Sequence, residues 1–188
     1  NNKKIKVNLF FDKESIHNFF YSQNILYSDI INAEVVLFPL LINEKGYFYY
    51  TNNFFYTNWN FIESNDLIEY NLPLENIENF KKIELNKNNI FNLDIADFFK
   101  EYNNSNIVFA IIETKNNEAK IFLKTKIFKK KINKTLSINK GDLDEINFNK
   151  KIILEIKKEL RDLIKSQNLI DVRTPSFLNV KIKLNRKN

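Results

Sequence analysis

The spacing of apolar and polar residues changes along the chain, and each change predicts a new element. Residues 3–11 alternate with a period of two, which is typical of a half-buried strand. Asp12 follows at the position of a helix N-cap, and apolar residues recur at helical spacing after it. The continuous apolar run 35–42 then predicts a buried central strand, in which Pro39 marks a bend or an unpaired position.

The rest of the chain predicts more strands and two further helices. One helix begins near Asp94 or Asn92, and a longer one runs from Asn147 to Gln167, with a steady apolar stripe and with Lys157 on its solvent side. This order predicts a mixed α/β (α+β) fold, in which two to three amphipathic helices pack on a mixed β-sheet. The additional strands are expected at residues 47–51, 67–72, 107–113, 120–130 and 177–184.

Length and composition indicate one globular domain with a short extension. The chain has 188 residues, of which 44% are hydrophobic and 28% are charged, a balance typical of a folded domain rather than a disordered segment. We expect residues 1–171 to form the mixed α/β domain. Residues 172–188 then form a linker and a strand that either closes the sheet or begins a further domain. Because the chain starts at Asn1 and contains no methionine, we expect it to be a processed or excised piece.

The sequence offers little that could carry out catalysis. It has no cysteine, which excludes disulfides, thiolate metal sites and cysteine nucleophiles. His17 is the single histidine, and no second ligand or catalytic partner accompanies it. Asp142, Asp144 and Glu145 lack the ligand spacing of a calcium loop, so we interpret them as a solvated turn before the long helix. We therefore predict no catalytic residue, no cofactor and no metal site, and we expect that the protein is not an enzyme.

Residues 47–61, here called the aromatic segment, are unusually rich in rings. Nine of these fifteen residues are Phe, Tyr or Trp. Strand alternation can bury only half of such a run, so one interpretation is a surface patch that binds a partner protein through Tyr50, Phe54, Tyr56 and Trp59. The other interpretation is that the rings fold back as a lid on the core. The sequence leaves both open.

Residues 120–134 form a basic stretch with seven lysines and no acidic residue. Lysines interleaved with aromatic residues on an open sheet are able to hold a nucleic-acid backbone, and the net charge of +6 permits an anionic partner. A row of lysines also protects an edge strand from unwanted pairing. The candidate anion-binding residues are Lys124, Lys126, Lys129, Lys130 and Lys131.

The order of elements is similar to that of a known family. The similarity covers residues 4–138 and rests on three short strings, namely KVNLFFD at 6–12, YNLPLEN at 70–76 and DIADFFKEY at 94–102. On these strings the chain resembles an uncharacterised family of exported proteobacterial proteins, in versions from A/T-rich alphaproteobacterial genomes. The fold that this family implies resembles the amino-terminal domain of TolB.

This resemblance implies a location rather than a reaction. It implies a periplasmic protein whose partner is another envelope protein, and it supplies no catalytic residue. We therefore expect a non-enzymatic interaction or assembly module of the bacterial envelope that uses a sheet edge or the aromatic segment. The alternative is a binder of nucleic acid or another anionic polymer through residues 120–134. No run of about 18 consecutive apolar residues is present, so we expect no transmembrane segment.

Overall fold

A six-stranded mixed sheet forms the centre of the structure, a computed structural model that describes residues 12–23, 33–64 and 68–167. The strand order is β2-β1-β4-β5-β6, and β3 pairs with β1 as well. β1 is parallel to β3 and β4, whereas the other pairs are antiparallel. The strands are β1 Ala33–Asn43, β2 Gly46–Phe48, β3 Ile68–Asn71, β4 Asn106–Lys115, β5 Glu118–Ile127 and β6 Lys130–Asn139.

Helices cover both faces of this sheet, which confirms the mixed α/β fold. Helices α2 and α5 contribute to the core on one face, and α3 and α4 contribute to the core on the other. Short 3-10 turns stand between them, at Tyr50–Asn52, Trp59–Phe61, Lys87–Asn92 and Lys100–Tyr102. The described helices are α1 Lys13–Ser22, α2 Phe54–Asn58, α3 Ile77–Leu85, α4 Ile95–Phe98 and α5 Glu145–Gln167.

The central strand β1 explains why the run 35–42 is apolar throughout. Leu37 packs in the core under α5, and its neighbour Phe38 packs in the opposite core against Phe99 and Phe109. A strand with helices on both faces buries successive side chains on alternate sides, so it has no polar face. The prediction of a buried central strand is confirmed.

Pro39 occupies a gap in the pairing of β1. On the edge of β1 away from β4, pairing with β3 ends at Val36, and pairing with β2 begins only at Leu41. The carbonyl of Pro39 accepts a hydrogen bond from the side chain of Asn53, so this residue turns its backbone toward the gap. Because proline has no N–H, it leaves no unpaired donor there. The prediction of an unpaired position is confirmed.

Helix α5 follows the predicted stripe, with one correction. Asp144 caps its start by accepting a 2.7 Å hydrogen bond from the backbone N–H of Asn147. Lys157, expected on the solvent side, is only 5% exposed. Its position lies four residues from Ile153 and three from Leu160, inside the buried arc of the helix.

Several elements differ from the expectation. The strand predicted at 47–51 ends at Phe48, because Tyr50 adopts a φ of 51° and begins a 3-10 turn. The strand predicted at 120–130 ends at Ile127, where a two-residue turn leads into β6, a strand that the pattern did not indicate. Helix α3 was not predicted either.

Several predictions fall on residues outside the described ranges. These are the strands at 3–11 and 177–184, and with them the role of residues 172–188. Among the described helices, α1 follows Asp12 as expected, but the side chain of His17 lies outside what the structure describes.

Candidate functional site

The aromatic segment lies mostly in the interior. Trp59 is fully buried and Tyr50 is 6% exposed, while Phe54 and Tyr56 are half-buried. The hydroxyl of Tyr56 donates a 2.7 Å hydrogen bond to the carbonyl of Pro73. The surface-patch interpretation is therefore corrected for Tyr50 and Trp59, whose rings fill the core, and the segment forms a lid instead.

Trp59 forms one wall around the buried amine of Lys157. The Nζ atom of Lys157 donates a 2.9 Å hydrogen bond to the carbonyl of Ile62. It also lies 5.2 Å from the ring centroid of Tyr70 and 5.9 Å from that of Trp59. Such contacts stabilise a cation that has left water. Lys157 therefore ties α5 to the connection that precedes β3.

A cavity of about 520 Å³ opens beside this lysine. Lys157, Tyr70 and the carboxylates of Glu63 and Glu69 are among its lining residues. Both carboxylates are on exposed residues, and the walls are more polar than apolar. Nothing in the sequence pattern indicated this cluster, because its members come from two distant parts of the chain, residues 60–71 and Lys157.

The five candidate anion-binding lysines are divided between two places. Lys124 and Lys126 donate hydrogen bonds of 2.9 and 2.7 Å to the carbonyls of Leu93 and Asn103, which follow 3-10 turns. These lysines therefore complement the carbonyl ends of the turns. Burial lowers the pKa of Lys124, against the opposing effect of the Asp94 carboxylate.

The remaining three lysines differ in their surroundings. Lys131 forms a 2.6 Å ion pair with Asp94. Lys129 and Lys130 are exposed at the turn between β5 and β6. Three of the five cations are thus held by groups of the chain itself, and the structure does not bring all five to one surface.

The turn at Phe128 and Lys129 determines which backbone groups of β6 point outward. Both residues have positive φ angles, 47° and 67°, as in a two-residue hairpin turn. Such a turn is closed by a hydrogen-bonded pair, here Ile127 and Lys130, and hydrogen-bonded pairs then alternate along the ladder. The even-numbered residues of β6 therefore bond to β5. A 2.8 Å hydrogen bond from Thr125 Oγ1 to the carbonyl of Ile132 agrees with this assignment.

The odd-numbered residues of β6 consequently present their backbone N–H and C=O groups to the outer edge. Among these, the carbonyl of Asn139 accepts a 3.1 Å hydrogen bond from Lys151 Nζ. For Lys131, Asn133, Thr135 and Ser137, no described residue pairs with the outward backbone groups. Within the described ranges, β6 is thus an open edge strand of ten residues.

The lysines of β6 protect this edge from pairing with another strand less than the sequence implies. Lys131 forms an ion pair with Asp94, and Lys134 forms a 3.4 Å ion pair with Glu159 on α5. Residues 135–139 carry no charge. Edge strands usually resist pairing through free charges, so the uncharged part of this edge, residues 135–139, remains competent to pair.

The opposite margin of the sheet is shorter and partly covered. β2 has three residues and β3 has four. The side-chain amide of Asn60 donates a 3.3 Å hydrogen bond to the carbonyl of Tyr70 in β3. Among the described strands, β6 therefore offers the longest edge for pairing.

No known protein family matches the sequence, and no curated protein is significantly similar to it. In the part of the chain that the structure describes, no group of three or more His, Cys, Asp or Glu residues is placed to hold a metal ion. No helix within residues 12–23, 33–64 and 68–167 is both long and apolar enough to cross a membrane.

Proposed function

We propose that this chain is a non-enzymatic interaction or assembly module of the bacterial envelope, and that the outer edge of β6 accepts an extended strand of another polypeptide. The observation that supports this proposal is the open edge at Lys131, Asn133, Thr135 and Ser137, together with the ion pairs that neutralise Lys131 and Lys134. The periplasmic location rests on the family resemblance of residues 4–138.

Strand addition suits this edge for a physical reason. An added strand supplies a backbone partner to each outward N–H and C=O group, and these main-chain bonds provide affinity with little dependence on side chains. The half-buried side chains of Ile132 and Leu136 already pack against the core under α5. A partner strand continues this apolar row and removes more of it from water.

Proline substitution offers a selective test. Thr135→Pro removes an N–H that points outward, which edge strands tolerate, whereas Leu136→Pro removes an N–H that bonds to β5. A photo-reactive amino acid in place of Ser137 is used to crosslink the bound partner. We expect Thr135→Pro to abolish this crosslinking, while the melting temperature stays close to that of the wild type. Thr135→Ala, which keeps the N–H, is the matched control and retains crosslinking. Leu136→Pro is expected to unfold the hairpin.

Two results contradict the proposal. One is unchanged crosslinking of the Thr135→Pro variant in cells. The other is equal adduct formation from a crosslinker placed at Asn88, an exposed residue far from β6 in the sequence. Recovery of the adduct from the cytoplasmic fraction contradicts the envelope location separately.

Binding of an anionic polymer is the second candidate function, and the support for it is narrower. Only Lys129 and Lys130 of the five candidate lysines are exposed without an ion pair or a hydrogen bond in the described part of the structure. Two adjacent cations provide a weak electrostatic site, and its affinity must fall with rising salt.

A further inference from the structure

We propose that the strand added to β6 belongs to a second copy of this chain, paired antiparallel with Thr135 of one copy opposite Thr135 of the other. This inference rests on the proposed function, because it identifies the polypeptide that the edge accepts. The charge pattern of β6, the direction of its backbone groups and the closure of the sheet support it independently of one another.

The lysines of β6 are distributed unevenly. Lys130, Lys131 and Lys134 lie in the first five residues, and residues 135–139 are uncharged. Antiparallel pairing about Thr135 places Lys131 opposite Asn139 and Lys134 opposite Leu136. A parallel pairing of the same two edges must instead place odd-numbered residues opposite even-numbered ones, and an offset of one residue puts Lys130 opposite Lys131, where like charges are destabilising.

The backbone restricts the register further. Only odd-numbered residues point outward, so the two strands must pair odd with odd. Shifting the centre of symmetry to Lys134 places the two Lys134 side chains opposite each other. Shifting it to Leu136 leaves Lys131 without a partner in β6. The register centred on Thr135 avoids both. It pairs Asn133, Thr135 and Ser137 among themselves and places Lys131 opposite Asn139, whose carbonyl already accepts a hydrogen bond from Lys151.

The side chains in this register match across the interface. On the face toward α5, half-buried Ile132 lies opposite buried Ile138, and Lys134, which is paired with Glu159, lies opposite Leu136. On the other face, Asn133 lies opposite Ser137, so amide meets hydroxyl. The closer, non-hydrogen-bonded pairs are those on the apolar face, where contact stabilises most.

A second copy also explains how assembly stops. Antiparallel pairing of identical strands is a two-fold arrangement that uses the same edge of both chains. The joined sheet then ends on both sides at the β2 and β3 margin, which is short and partly covered by Asn60. The interface therefore closes on itself instead of propagating into a fibre.

The absence of native cysteine makes the register directly testable. A hydrogen-bonded antiparallel pair has Cα atoms about 5.5 Å apart, within the range of a disulfide. We expect Thr135→Cys to form a disulfide dimer on mild oxidation. Ser137→Cys alone remains monomeric on non-reducing gels, because the two introduced cysteines lie about 14 Å apart along the strands. A mixture of Asn133→Cys and Ser137→Cys protein gives the mixed dimer.

Sedimentation equilibrium of the uncrosslinked protein completes the test. We expect a monomer–dimer equilibrium that Thr135→Pro weakens at least tenfold and Thr135→Ala leaves unchanged. Oxidation of Thr135→Cys no faster than that of an exposed control, Asn88→Cys, overturns the inference. Self-linking of Ser137→Cys in preference to Thr135→Cys overturns the register. If the wild type stays monomeric while the Ser137 crosslinker captures a different protein in a manner that Thr135→Pro abolishes, the inference fails and the proposed function stands.

Discussion

The side-chain amide of Asn53 donates a 2.9 Å hydrogen bond to the carbonyl oxygen of Pro39 in the central strand. Asn53 is fully buried, and its side-chain oxygen also accepts a 2.9 Å hydrogen bond from the backbone N–H of Phe55, which caps α2. One side chain therefore fills the gap between β2 and β3 and fixes the start of the helix that carries the aromatic lid.

Replacing Asn53 tests this double role. We expect Asn53→Ala to lower the free energy of unfolding by about 2–3 kcal/mol, because a buried carbonyl loses its donor and a helix loses its cap. Urea denaturation provides the measurement. Asn76→Ala is the matched control, since Asn76 caps α3 at a more exposed site through a 2.7 Å bond from Glu78. It is expected to cost about 1 kcal/mol, and equal losses in the two variants are incompatible with a role for Asn53 at Pro39.

Lys157 provides a second test of packing. Lys157→Met keeps a long apolar side chain but removes the donor to the Ile62 carbonyl and the charge beside Trp59 and Tyr70. We expect a loss of about 1–3 kcal/mol in unfolding free energy. The neighbouring Lys158→Met, at an exposed position, is expected to change stability by less than about 0.5 kcal/mol. Indistinguishable denaturation midpoints for the two variants contradict the structural role of Lys157.

Much of the fold could be predicted from the sequence, and the omissions have identifiable causes. The hairpin between β4 and β5 has Asn116 at a positive φ, a residue type that favours this conformation. The next turn places Phe128 and Lys129 at positive φ, where such residues are uncommon, so the pattern predicted one continuous strand. The long helix needed only its own periodicity, and it was predicted almost to the residue.

The candidate sites were less predictable because they depend on contacts between distant segments. Lys157 donates a hydrogen bond to the carbonyl of Ile62, 95 residues away in the sequence, and helical periodicity carries no information about that contact. In the same way, Lys131 reads as a free cation in the sequence, whereas Asp94 neutralises it in the fold. Dense aromatic residues leave patch and core indistinguishable until the chain is folded.

The carboxylate of Glu84 on α3 has a lowered pKa because two neighbouring side chains stabilise its charge. A 2.7 Å ion pair with Lys87 contributes most, and the hydroxyl of Tyr49, which donates a hydrogen bond to the same carboxylate, follows. We expect Lys87→Met to raise the pKa of Glu84 toward its ordinary value of 4.5, and Tyr49→Phe to raise it less. Titration of the side-chain carboxyl carbon by NMR measures both shifts.

The same pair predicts a pH dependence with a definite sign. Because folding lowers the pKa of Glu84, its contribution to stability is present above 4.5 and is lost as the pH falls through the folded value. The difference in denaturation midpoint between the wild type and Glu84→Gln should therefore shrink below pH 4.5. A difference that stays constant or grows toward acid pH contradicts this assignment.

The lysines of the basic stretch fall into two classes, those that are exposed and those that donate hydrogen bonds to the chain. Removing two charges from each class distinguishes them. Lys129→Gln with Lys130→Gln removes two exposed charges, whereas Lys124→Gln with Lys126→Gln removes two that donate to the carbonyls of Leu93 and Asn103. We expect the first pair to abolish most retention on a polyanion column at low salt, with little effect on stability. The second pair should lower the free energy of unfolding by about 1 kcal/mol per lost bond and change retention less. If both double variants lose retention equally, and each with a steep salt dependence, all four lysines contact the polymer. That result favours anionic-polymer binding over strand addition at β6.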